Sequence, residues 1–136
     1  MNEIKVEAII ENIPKVTEFV DSILEECECP VKVQMQIDVA IDELMSNIAD
    51  YAYSQGTGEV VVRAEVSDAP KTVALTFIDS GIQYDPLKKK DPDVSLPVEE
   101  REIGGLGIFI VKKTMDDVSY EYRDGQNILT IRKILQ

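Results

Sequence analysis

A chain of 136 residues has the size of one domain and too little length for two hydrophobic cores, so residues 1–136 read as a single unit. Its 44% hydrophobic and 29% charged content excludes a disordered chain. A formal charge of -12 disfavours direct contact with nucleic acid or an anionic membrane, because phosphate binding needs clustered Lys and Arg. The acidity leaves a basic protein partner or plain solubility as its meaning. MNEIKVEAII has no basic flank, long apolar stretch or cleavage site, and no apolar run reaches a membrane-spanning length, so the expected location is the cytoplasm. Cys27 and Cys29 are too few and too close to frame disulfides, and no histidine is present to complete a zinc site, which leaves them structural.

In chain order, Lys5 to Ile10 reads as a strand, and Asn12 is placed to cap a helix carrying Val16, Phe19, Val20, Ile23, Leu24 and Cys27 at intervals of three and four. Pro30 breaks it. A second helical pattern then runs through Val33, Ile37, Ala40, Ile41, Leu44, Ile48 and Ala52, and Gln55 to Gly58 ends it. Val60 to Val66 and Thr72 to Ile78 form a hairpin about Ser67 to Pro70. Tyr84 to Ile103 is a long charged segment with three prolines, the composition of a lid. Gly107 to Met115 turns helical, and Val118 to Tyr122 with Ile128 to Ile134 make a second hairpin about Asp124-Gly125. Hairpins dominate, so the expected fold class is α/β: a two-layer α/β sandwich whose mixed sheet is mostly antiparallel with helices over one face.

Three constellations could carry chemistry. Glu43 and Asn47, four apart on the second helix, put a carboxylate and an amide on one face; alone, the spacing also describes a solvated helix edge. Asp79-Ser80-Gly81 closes a strand with a carboxylate able to accept from an exocyclic amine, and with a residue free to adopt positive φ; alone, it is also a common turn. Gly104, Gly105 and Gly107 open a helix and leave backbone N–H groups accessible to an anion, or serve as a hinge, or both. Neither a P-loop nor a G-x-G-x-x-G motif after a strand is present. Lys88 to Lys90 read as a solvated charge run rather than a phosphate clamp, and they and Arg101, a candidate partner or phosphate contact, are left out of the site.

Taken in order, these segments resemble the N, G1 and G2 boxes of the Bergerat-fold ATPases, the superfamily of gyrase, heat-shock chaperone, histidine kinase and MutL. Within it, IDELMSNIADYAY (41–53) and GGLGIFIVKKTMD (104–116) look like the signature segments of the bacterial anti-sigma-factor serine/threonine kinases. The likeness extends over roughly residues 10 to 133. It implies ATP and Mg²⁺ as cofactors, with Asn47 a ligand of Mg²⁺ and Glu43 the general base. It places Asp79 on the adenine amine, with Gly81 letting the backbone pass close to the base. Gly104, Gly105 and Gly107 would sit at the phosphates, and Thr130 at the adenine side. A sigma factor and an anti-sigma-factor antagonist are the implied partners, and a homodimer the implied assembly.

Two positions depart from the family pattern: Gln83 stands where many members have a second glycine, and Tyr51 where the kinases often carry histidine. The alternative reading is a non-catalytic ATP-binding module whose nucleotide state controls partner binding. A third is an α/β domain without nucleotide.

Overall fold

The computed structural model describes residues 2–53, 58–88 and 106–136. Strand β1 (Asn2–Glu7) leads into helices α1 (Ile13–Glu26) and α2 (Val31–Asn47); the hairpin β2 (Glu59–Ser67) and β3 (Thr72–Asp79) follows, then α3 (Leu106–Thr114) and the hairpin β4 (Asp117–Arg123) and β5 (Gln126–Ile134). The sheet order is β1-β2-β3-β5-β4, with every pairing antiparallel. Placing β5 beside β3 sets Asn127 directly opposite Asp79.

The helices cover one face of this sheet. Val16, Val20 and Leu24 of α1 and Ile37, Ala40, Ile41 and Leu44 of α2 are buried in one cluster with Val60, Val62, Val73, Leu75, Phe77, Leu129 and Ile131 from the strands. The strand members alternate in sequence, so they share the inner face. Each fully buried large side chain contributes about 1.5–3 kcal/mol, which makes this layer the main source of stability. The outer face carries ion pairs instead: Lys5–Glu59 at 3.5 Å, Arg63–Glu3 at 2.8 Å and Arg132–Asp117 at 3.1 Å. The two-layer sandwich is as expected, and its sheet is wholly antiparallel. Among the described residues no helix is long and apolar enough to cross a membrane.

Four local features differ from the sequence reading. The first strand ends at Glu7, not Ile10: Ala8 is already buried, its N–H donates to the Gly58 carbonyl at 2.8 Å, and Ile10–Asn12 forms a 3₁₀ turn. Asn12 does not cap α1; its side-chain amide donates to the Glu7 carbonyl at 2.9 Å and closes the turn, while Pro14 occupies the first helical turn, where its missing N–H leaves no gap. The second helix is regular only to Asn47, and Ile48–Ala52 form a π turn. The last hairpin starts at Asp117 and Gln126, so β5 includes Asn127. Its turn is as expected from Asp-Gly: Asp124 and Gly125 both have positive φ, 55° and 77°, the requirement of a type I′ turn. Most of the expected lid, residues 89–103, lies outside the described residues; its start at Pro86–Lys88 is a 3₁₀ turn.

Candidate nucleotide site

A small cavity, partly open to solvent, lies between the end of α2 and the inner face of the sheet. Leu44, Ile48, Phe77 and Leu129 give it apolar walls; Asn47, Asp79 and Asn127 are its polar groups, with Tyr84 and Tyr120 also lining it. An apolar slot with few polar groups suits a flat heterocycle such as a purine.

Asp79 is 5% exposed at the end of β3. Its Oδ1 accepts from the Gly81 N–H at 2.9 Å and the Asn127 side-chain amide at 2.9 Å. Burial pushes its carboxyl above the usual range, and these two donors pull it back toward the ionised form. Among the described residues Oδ2 makes no hydrogen bond, which leaves a carboxylate oxygen to accept from a ligand.

Asn47 lines the same cavity as Asp79, because α2 packs its Leu44 face onto the sheet and Asn47 follows within one further turn. Glu43, one turn earlier, faces the start of α3: a Cβ added at Gly107 would overlap its Oε2. Burial raises the Glu43 carboxyl above the ordinary value, and the neighbouring Asp42 charge raises it further. A metal carried by a nucleotide suits this donor set. Asn47 offers one hard amide oxygen, and among the described residues no group of three His, Cys, Asp or Glu side chains is arranged to hold an ion alone.

Other expected site residues fall differently. Gly81 does not use positive φ, and it packs against the π turn: a Cβ there would strike the carbonyl of Ala52, which also lines the cavity, 2.5 Å from its carbon. The adjacent Ile82 N–H donates to that carbonyl at 2.8 Å. Thr130 is a correction. Side chains alternate along β5, so Thr130 lies on the outer face, its hydroxyl 3.3 Å from Thr76, while Asn127, Leu129 and Ile131 point inward. Asn127 takes the place at the cavity that Thr130 was expected to fill. The sequence signal for it was an amide in phase with Leu129 and Ile131. Gly104 and Gly105 lie outside the described residues.

Two tyrosines after Asn47 brace the site. Tyr53 donates its hydroxyl to the Glu59 carbonyl at 2.8 Å and accepts from the Ser80 N–H at 2.9 Å, tying the helix end to both strands of the first hairpin. Tyr51, one of the two departures from the family pattern, stacks on Tyr84 with ring centroids 5.2 Å apart.

The profile of the histidine kinase-like ATPase domain matches residues 6–133. Among curated proteins, serine/threonine-protein kinase BtrW of Bordetella bronchiseptica is 26% identical over 100 residues, covering 74% of this chain and 70% of BtrW. Serine-protein kinase RsbW of Bacillus thuringiensis is 29% identical over 100 residues, covering 71% of this chain and 61% of RsbW. The match therefore spans less than two thirds of that relative. Among solved structures, the RsbU and RsbW domains of a Mycobacterium tuberculosis protein superpose with a TM-score of 0.67 at 16% identity, over 99% of this chain and 33% of that one. The catalytic domain of histidine kinase ThkA superposes with a TM-score of 0.54 at 14% identity, over 99% of this chain and 98% of that one. The profile spans nearly the whole chain, and the chain belongs to the histidine kinase-like ATPase family.

Proposed function

We propose that the domain is an anti-sigma-factor serine/threonine kinase: it binds ATP with Mg²⁺, sequesters a sigma factor, and phosphorylates a Ser or Thr of an antagonist protein. The observation that supports this reading is the single cavity shared by Asn47 and Asp79, an amide from the helix and a carboxylate from the strand. The serine kinases among its relatives agree with it. The same resemblance carries the expectation of a cytoplasmic homodimer.

In this reading Asp79 accepts from the adenine amine and Asn47 holds the metal. Mg²⁺ held there would supply neutralisation of the charge on the phosphoryl oxygens. Glu43 accepts the proton of the incoming hydroxyl, and its raised pKa makes it a stronger base than an ordinary carboxylate. The hydroxyl oxygen bonds to the γ-phosphorus as the bond to the β-bridging oxygen breaks, releasing ADP. Positioning supplies most of the acceleration. Gly107, in the first turn of α3, leaves room for Glu43 there; Gly104 and Gly105 would bring backbone N–H groups to the phosphates.

The test is transfer of label from ATP to a candidate antagonist protein. We expect Glu43→Gln to keep nucleotide affinity within about twofold and to lower turnover about 10²-fold or more, the usual worth of a general base. Asn47→Ala should weaken magnesium-dependent binding. Equal loss of binding in both contradicts the assigned roles, and ATP-dependent partner binding without transfer favours the regulatory module.

A further inference from the structure

We propose that Asn127 is the positioning residue that sets base specificity in this cavity, by fixing which oxygen of Asp79 is left to meet the purine. The proposal rests on the adenine-binding reading above.

Asn127 is 6% exposed and sits opposite Asp79 in the β3–β5 register. Its Oδ1 accepts from the Tyr84 N–H at 3.1 Å and from the Tyr120 hydroxyl; its Nδ2 donates to Asp79 Oδ1 and to the Ile82 carbonyl, both at 2.9 Å. A backbone N–H can only donate and a carbonyl can only accept, so the amide has one allowed orientation and its four hydrogen-bonding capacities are used. The consequence falls on Asp79. Its Oδ1 is consumed by Asn127 and the Gly81 N–H, and Oδ2 remains an acceptor in the cavity. An acceptor selects a base with an exocyclic amine and rejects one with an oxo group at the same position, because two facing acceptors leave both unpaired. The same amide also ties Ile82 and Tyr84, which line the cavity, to β5.

The test compares binding of non-hydrolysable ATP and ITP analogues with Mg²⁺, alongside thermal melting. Wild type should prefer the adenine analogue by about 30-fold or more, the scale of a charge-assisted hydrogen bond. Asn127→Asp sets a second carboxyl against Asp79, and the pair must share a proton, which supplies a donor to an oxo group. The preference should collapse to about threefold near pH 6 and return near pH 9. Tyr53 and Tyr120 also sense Asp79, and burial holds both hydroxyls above their ordinary range, so neither titrates in that window. If Asn127→Asp does not fold, Asn127→Gln displaces Asp79 by a methylene and should lower the preference about tenfold with ITP affinity unchanged. A lower melting temperature with both affinities reduced alike and the preference intact overturns the proposal, leaving Asn127 a fastener of the fold. Wild type binding both analogues equally also overturns it. Wild type binding neither removes the adenine reading itself, and the proposal with it.

Discussion

Asp79 and Asp38 are two carboxyls on opposite sides of α2, both pushed upward by burial, and their surroundings differ. Asp79 faces two N–H donors, which spend themselves on one oxygen and leave the other available. Asp38, on the α1 side, faces carboxyls. Burial, the neighbouring Asp21 carboxyl and the charge of Glu25 push it up to about 7, and Cys29 lies in the same acidic field. Oδ1 of Asp38 and of Asp21 are buried without a hydrogen-bond partner. Burial thus yields a binding group where donors are supplied, and a proton-holding seam where they are not.

The comparison breaks most visibly at Asp79. Asp79→Ala should weaken ATP binding about 100-fold and lower the melting temperature, since the Asn127 amide and the Gly81 N–H lose their acceptor; calorimetry reads both. A smaller effect is expected at Asp38. Its folded pKa lies above the unfolded value near 4, so the folded state holds the proton more tightly, and its contribution to stability falls as pH rises from about 4 through about 7. Asp38→Asn should therefore raise the melting temperature by a few degrees at neutral pH and flatten that slope, without changing nucleotide affinity. The smallest effect belongs to the outer face, where Glu59→Gln removes the exposed Lys5–Glu59 pair and should change stability by less than about 0.5 kcal/mol in denaturant titrations.

Much of this was legible in the residues. Intervals of three and four placed α1 and α2, and Asp124-Gly125 fixed its turn, because period and turn chemistry are local. Asn127 was missed because an apolar run begins one residue later, and a buried amide announces itself only once the strand's inward phase is known. That phase also misplaced Thr130, an odd number of residues from Asn127. The Asp21–Asp38 pairing depends on how α1 and α2 are rotated against each other, which neither helix encodes alone. The π turn left no trace, since Ile48 and Ala52 keep the spacing of a regular helix.

That turn has a mechanical meaning. By holding one residue more per ring than an α-helix, it swings the Ala52 carbonyl outward to the Ile82 amide, joining the helix end to the loop behind Asp79. The helix terminus and this loop are expected to open together, with proton exchange at the Ile82 amide as the gauge of how firmly the rim is latched.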